Sequence, residues 1–301
     1  MSLKTRAIKI GKVMLGEKAE DRRLLMVGSV FYRGDKSVFD HRQGLFDRQA
    51  VKEQVEIVEK LKEFTGLQHA YDVIFESPEA ARSFIGYLAE ISEDPIFIDG
   101  IASNARVAAY LFAKEIGIED RCVINAVTCK VPDSEAKAIT ESGIKRAVLM
   151  ICDIAMFKPS KLVKILTNEL IPSVERMKVS QVMVDVGVVD ISSIAYSLKS
   201  IKAVKRELAL PVGCAPCNAA YKLLVEGKLS LEETRAVNCS LLTMMVLEDA
   251  DFLIYGPVKA AKYAFNACAT AEAIKIYSMD IEKRKLEKRH AIYTYLKNLS
   301  K

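Results

Sequence analysis

Tryptophan is absent, and histidine occurs only three times, at His41, His69 and His290. So little imidazole disfavours nucleophilic catalysis of the Ser-His-Asp or Cys-His kind, which needs a base that titrates near neutrality. Zinc coordination is disfavoured too. Cys214-Ala-Pro-Cys217 is the only cysteine pair with metal or redox spacing, and no second pair completes it. The seven cysteines (Cys122, Cys129, Cys152, Cys214, Cys217, Cys239 and Cys268) are odd in number and mostly sit in apolar segments, which reads as reduced cytosolic thiols. The longest apolar runs, such as Leu241 to Leu247, fall far short of the ~20 residues that cross a bilayer. The N-terminal stretch lacks the apolar core and cleavage site of a signal peptide. A cytoplasmic location without direct membrane insertion is expected. Neither a Rossmann GxGxxG, nor a P-loop GxxxxGK[ST], nor the Gly-rich signature of Rossmann-type S-adenosylmethionine methyltransferases occurs, so the usual nucleotide readings fall away.

A large charge imbalance is also missing: 44 Lys and Arg against 39 Asp and Glu leave a net +5. The excess gathers at Lys283, Arg284, Lys285, Lys288 and Arg289, interleaved with Glu282 and Glu287. That pattern reads as a solvated helical face, and no nucleic-acid partner is expected.

What the 301-residue chain does have is core material: half its residues are hydrophobic and 28% are charged. The start is a small hairpin, with Ala7–Ile10 and Val13–Leu15 flanking Gly11, taken here as residues 1–20. Eight short apolar runs follow: Leu24–Phe31, Tyr71–Phe75, Ile96–Ile98, Val123–Ala126, Ala147–Ile151, Gln181–Val186, Pro211–Cys214 and Phe252–Tyr255. They lack polar alternation, as strands buried on both faces do. Their starts lie about 33 residues apart, room for a strand, a helix and two loops.

The segments between them carry helix signals. Asp47 caps a stretch to Phe64 that Gly66 stops, Ser77 precedes Pro78, Ser103 is the expected cap of the next helix, and Pro132 and Gly143 bracket another. Pro159 opens a further helix, Asp190 is expected to begin the helix to Leu208, and residues 217–250 form two pieces split at Gly227 and Ser230. The fold class expected is α/β, one (β/α)8 TIM barrel over residues 1–301.

In such a barrel the site lies at the C-terminal ends of the strands. That ring holds Ser29, Asp72, Asp99, Asn125, Asp153, Asp185, Gly187, Asn218 and Gly256. No Lys sits inside a strand for Schiff-base chemistry. Carboxylates and amides suit a heterocycle with adjacent N–H and C=O groups. Individually, Asp99 could cap a helix, Asn125 could satisfy loop backbone and Asn218 could be an N-cap. Asp185 between Val184 and Val186 is harder to dismiss, because a buried carboxylate needs a partner or a role. Mg²⁺ binding by Asp72, Asp99 and Asp185 is a competing use of the same groups, and Gly256 could begin a phosphate site in a lyase barrel. No bound metal is expected.

Six segments in register carry a resemblance: Val27-Gly28-Ser29-Val30-Phe31-Tyr32, Phe97-Ile98-Asp99, Val123-Ile124-Asn125, Val184-Asp185, Leu210-Pro211-Val212-Gly213-Cys214-Ala215-Pro216-Cys217-Asn218-Ala219 and Phe252-Leu253-Ile254-Tyr255-Gly256-Pro257. Over nearly the whole chain it resembles the H subunit of tetrahydromethanopterin S-methyltransferase. That family is similar to the methyltetrahydrofolate:corrinoid protein methyltransferases, within the pterin-binding barrels that include dihydropteroate synthase. The Lys-containing motif and the Arg-x-His of dihydropteroate synthase are missing, which argues against that activity. The resemblance implies that Asp99, Asn125, Asp185 and Asn218 hold the pterin, with Asn218 beside N5 and Asp185 supporting it in catalysis. It further implies tetrahydrofolate or tetrahydromethanopterin as co-substrate, cobalamin or another corrinoid on a partner protein, and a homodimer. The alternative is a non-catalytic barrel that docks a corrinoid protein or a methyltransferase complex.

Overall fold

In the computed structural model, residues 7–16, 24–281 and 291–300 are described. The chain enters through an antiparallel hairpin, β1 (Ile8–Ile10) with β2 (Val13–Leu15). The first barrel strand, β3 (Leu25–Val30), is followed by a second small hairpin, β4 (Val38–Asp40) with β5 (Leu45–Phe46). Strands β6 (Gln68–Phe75), β7 (Ile96–Gly100), β8 (Cys122–Val127), β9 (Arg146–Met150), β10 (Gln181–Asp185), β11 (Val212–Cys214) and β12 (Phe252–Pro257) complete the set. Every pairing among β3 and β6–β12 is parallel, and the sheet closes where β12 meets β3. This is the (β/α)8 barrel that the spacing of the apolar runs predicts.

Helices α1 (Arg48–Thr65), α2 (Pro78–Ile91), α3 (Ser103–Glu115), α4 (Asp133–Ser142), α5 (Pro159–Ile165), α6 (Ile171–Arg176), α7 (Ile194–Glu207), α8 (Cys217–Val225), α9 (Leu231–Leu247), α10 (Ala261–Ile281) and α11 (Ala291–Leu299) surround it. Local chemistry sets their limits. Asp47 accepts from the Ala50 N–H at 3.0 Å to start α1, which buries Val51, Val55 and Val58. Gly66 then ends the helix at φ +73°, its N–H returning to Lys62 O.

Several expectations need correction. Ser103 is the first residue of α3 and caps nothing; Ala102 takes the cap position and the Ser103 hydroxyl turns to Glu135. Asp190 organises a turn, accepting from Ser193 N and Ser192 Oγ at 2.8 Å, and α7 starts four residues later. Asn218 is the second residue of α8, whose cap position is Pro216, so it is not an N-cap. The π-helical stretch Leu166–Leu170 joining α5 to α6 precedes Pro172, which has no N–H for the regular ladder. The basic cluster at residues 283–289, and residues 1–6 and 17–20 of the N-terminal segment, lie outside the described residues.

The barrel has two apolar compartments. Outward-facing residues such as Tyr71, Ile98, Ile124, Val184 and Tyr255 pack against the helices. Inward-facing Leu25, Val27, Ala70, Phe97, Val123, Val148, Met183, Phe252 and Ile254 fill the barrel and meet Ile8, Ile10, Val13 and Leu15 of the hairpin. The N-terminal end is thereby plugged.

Candidate active site

Strand side chains alternate between faces, so the residue two places beyond an inward one also points inward. Advancing two from Val27, Ala70, Phe97, Val123 and Met183 gives Ser29, Asp72, Asp99, Asn125 and Asp185. One apolar layer is therefore roofed by a polar one, toward the C-terminal ends of β3, β7, β8 and β10 and at mid-strand in β6. β9 contributes Met150 at the equivalent position.

Asp72 is the hub. It accepts from Ser29 Oγ at 2.9 Å and from Asn125 Nδ2 at 3.0 Å. Burial pushes its carboxyl up to about 6, against the pull of those two donors. Asn125 thereby has its amide nitrogen committed, which turns its Oδ1 toward acceptor duty; the Asn125–Ala126 peptide bond is cis. Asp185 accepts from the Gly187 N–H at 2.7 Å, and burial, then the nearby Asp72 charge, raise it to about 6 as well. Asp99 stands well above the ordinary carboxylate range, through burial first and Asp72 second, with Arg106 opposing both. Among the described residues, no hydrogen bond reaches the Asp99 carboxyl. Two buried carboxylates, Asp72 and Asp185, and the half-buried Asp99 thus face one space, and each holds its charge reluctantly.

The rim differs. Asn218, in the first turn of α8, is exposed, and its Nδ2 donates to Val188 O at 3.4 Å. Its neighbour Cys217 is buried, with its thiol pushed up to about 12 by burial and by Asp72 and Asp185, which puts the start of α8 over the polar layer. A side chain at Gly256 (φ +92°) would be strained and crowded, since a Cβ would lie 3.0 Å from Cys217 Cβ and 3.1 Å from the Tyr221 ring. Gly187 (φ +75°) likewise leaves room for Met156. Cys214 is buried and protonated by the same desolvation, so the Cys214–Cys217 spacing reports packing.

Most of the expected residues therefore come together: Ser29, Asp72, Asp99, Asn125 and Asp185 in one layer, with Gly187, Asn218 and Gly256 above it. Asp153 does not join them. It lies three residues past the end of β9, is exposed, and caps a 3₁₀ turn by accepting from Ala155 N at 2.6 Å. Asp72 proves more central than its place in mid-strand suggested. Arg106 and Glu135, a buttress behind Asp99, are not among the residues expected from the sequence; a lone Arg near the start of an apolar helix was their only signal. Among the described residues, no three His, Cys, Asp or Glu side chains are arranged to hold a metal ion.

A closed parallel barrel whose C-terminal mouth is lined by buried carboxylates and amides is an enzyme barrel of the TIM type. Solved structures of that shape include dihydropteroate synthase from Yersinia pestis in a sulfonamide drug complex (TM-score 0.63, 11% identity, covering 90% of this chain and 99% of that one). The 7,8-dihydropteroate synthase of Vibrio fischeri is similar (TM-score 0.62, 14% identity, 93% and 99% covered). Residues 4–287 match the family described as Tetrahydromethanopterin S-methyltransferase MtrH subunit, and the chain belongs to that methyltransferase family. Among its relatives, the H subunit of tetrahydromethanopterin S-methyltransferase from Methanothermobacter thermautotrophicus is 26% identical over 277 residues, 87% of this chain and 88% of that protein. The H subunit from Methanopyrus kandleri is 27% identical over 283 residues, with 87% and 88% covered. The H subunit of a putative mtx methyltransferase from Methanosarcina acetivorans is 24% identical over 300 residues, with 91% and 93% covered.

Proposed function

We propose that this barrel moves a methyl group between N5 of a tetrahydropterin and the cobalt of a corrinoid held by a separate partner protein. The observation that carries the reading is the roofed barrel itself: buried Asp72, Asn125 and Asp185 and half-buried Asp99 in one layer, with exposed Asn218 above them, in a methyltransferase family. A pterin ring presents a row of N–H, amino and carbonyl groups along one edge. Carboxylates accept from the N–H and amino groups, while Asn125 Oδ1 offers a further acceptor. Asp99, whose carboxyl no hydrogen bond reaches among the described residues, can take one of those donors.

The rim fits a second macromolecule. Phe39 and Leu45 after β3, Ile101 after β7, and Val189 and Ile191 after β10 are exposed at this end, so an incoming protein meets apolar side chains around Asn218. When bound, a corrinoid supplies the cobalt that exchanges the methyl group. This chain's residues orient the pterin and manage the proton at N5. A tertiary amine is a poor leaving group, and N5 needs hydrogen-bond donation as its bond to the methyl carbon breaks. The Asn218 amide can donate a hydrogen bond to N5 while the proton that N5 takes up comes from water at the open mouth, with Asp185 below it anchoring the ring. In the reverse direction the amide rotates to leave the N5 lone pair free.

Tetrahydromethanopterin is the form named in the relatives; tetrahydrofolate presents the same N5 and the same ring edge. The resemblance also implies that two copies pair, which sedimentation reads directly. Anaerobic calorimetry with methyltetrahydrofolate and with tetrahydromethanopterin tests the site: micromolar binding of either is expected, and no heat with both overturns the reading.

A further inference from the structure

Among the described residues Asp99 has no hydrogen-bonding partner on its carboxyl, yet the backbone that follows it is clamped from α3. Arg106, one turn into α3, spends its guanidinium on three partners. Nη1 donates to the carbonyls of Gly100 at 2.9 Å and Ile101 at 3.1 Å, the two residues after Asp99. Nε and Nη2 form a bidentate pair with Glu135, each at 2.7 Å. Glu135, in the first turn of α4, is buried, and its Oε2 also accepts from Ser103 Oγ at 3.0 Å. Arg106 is packed hard against the clamp: a Cβ on Gly100 would lie 2.5 Å from Arg106 Cγ and 2.5 Å from the Phe75 ring. A planar fork can satisfy a carboxylate and two carbonyls at once; a point charge cannot.

We propose that Arg106 is a positioning residue for Asp99, its fork fixing the Asp99-Gly100-Ile101 backbone against α3 and α4 while Glu135 holds the fork in plane. The inference rests on Asp99 being a pterin-contacting group. Two separable effects follow from the one side chain. The fork sets where the carboxyl stands, and the positive charge favours its ionised form. The charged and titratable groups that face Asp99 are Asp72 from β6, and Arg106 and Tyr110 from α3. Of these only Arg106 favours the carboxylate, and Glu135 behind it tempers that charge.

The test compares Arg106→Gln and Arg106→Lys with the unaltered protein. The Asp99 carboxyl is followed by carbon NMR in ligand-free protein with labelled aspartate, the resonance being assigned with Asp99→Asn. Arg106→Gln is expected to raise the Asp99 midpoint by about one pH unit, the low end for loss of a nearby opposite charge. Affinity for methyltetrahydrofolate or tetrahydromethanopterin is expected to fall about tenfold as the carboxyl loses its placement. Arg106→Lys keeps the charge and loses the fork, so the midpoint holds while affinity still falls. An unmoved midpoint in Arg106→Gln overturns the proposal, and so does wild-type affinity in Arg106→Lys, which decides alone if the Gln variant does not fold. Should the unaltered protein bind neither pterin, the pterin reading fails by itself, and the carboxyl titration still decides the role of Arg106.

Discussion

At the scale of single residues, the site sets carboxylates whose charge is poorly solvated beside an amide that is exposed. The two kinds of residue should fail differently. If Asn218 acts on N5 as proposed, Asn218→Ala removes a donor that matters only as the N5 bond breaks, so turnover should drop by about 100-fold while pterin affinity stays within a few-fold. Equal losses in both would place Asn218 in ground-state binding. Asp185 carries a stability consequence as well. Its folded value, about 6, lies above the ordinary 3.8, so between those two values the native state binds more protons than the unfolded chain. Stability therefore falls as pH rises through that window, and the penalty is fully present at neutral pH. Asp185→Asn keeps an oxygen for the Gly187 N–H and removes the buried charge. Its melting temperature should exceed the parent's by a few degrees at pH 7.5, and the two should converge near pH 4. An identical difference at both pH values would mean that Asp185 is not a buried anion at neutrality. Binding should show the complement, weakening below about pH 6 as Asp72 and Asp185 take up protons.

Elements are where the sequence was most and least legible. Buried strands announce themselves as apolar runs, and helices limited by Asp47, Ser77, Gly66 and Gly143 followed the local capping rules. The β4–β5 hairpin stayed hidden because its strands, Val38–Asp40 and Leu45–Phe46, are too short for any periodicity to register. The site was half legible. Residues at strand ends could be read off as a ring, but which faced inward depended on register, and Asp72 in mid-strand looked peripheral until Ala70 fixed the parity. Asp153 failed for the converse reason: a carboxylate just past a strand is also an ideal turn cap.

One polar network between elements was invisible in the sequence. His69 on β6 is fully buried on the outer face, with Nδ1 at 3.3 Å from Asp94, before β7, and Nε2 at 3.1 Å from the Tyr255 hydroxyl on β12. Lys62 of α1 closes the group by donating to Asp94 at 2.5 Å. Burial holds His69 below its ordinary 6.5, the pull of Asp94 notwithstanding. The native state thus resists a proton that the unfolded chain accepts, and this contribution to stability is lost as pH falls through about 6.5. Burial raises Asp94, but His69 and Lys62 outweigh it and hold the carboxyl below its usual value, so it too loses stability on acidification. His69→Gln should therefore be destabilised by about 2 kcal/mol at pH 7.5, in the range for a buried hydrogen bond to a charged group. Urea titrations should show the gap to the parent narrowing between pH 7.5 and 5; a gap that is constant over that range would mean His69 does not stay neutral.

At the scale of the whole molecule, the two ends of the barrel do opposite things. The lower end is shut by a hairpin whose alternation is strict: Ile8, Ile10, Val13 and Leu15 are buried among the barrel's inward side chains, while Lys9, Lys12 and Met14 face out. It is latched as well as packed. Gln68 brackets Met14 with hydrogen bonds at 3.0 and 2.9 Å, Arg146 Nε donates to Lys9 O at 2.8 Å, and the Gly11 N–H reaches Asp120 O at 3.0 Å. With that end filled, the described residues leave the C-terminal mouth as the approach to the polar layer, so under the proposed function pterin and methyl acceptor share one entrance. On the proposed reading the pterin sits below, against Asp72 and Asp185, with N5 turned up toward Asn218 and the incoming partner. This division predicts that plug and site are energetically separate. Ile10→Ala opens a void in the lower layer and should destabilise by about 3 kcal/mol, whereas Met14→Ala, at 37% exposure, should change stability little. Measured where Ile10→Ala is still folded, pterin affinity should match the parent's, because the apolar layer of Val27, Phe97, Val123 and Met183 stands between the void and the carboxylates. A loss of affinity without unfolding would show that the plug shapes the site and does more than close the barrel.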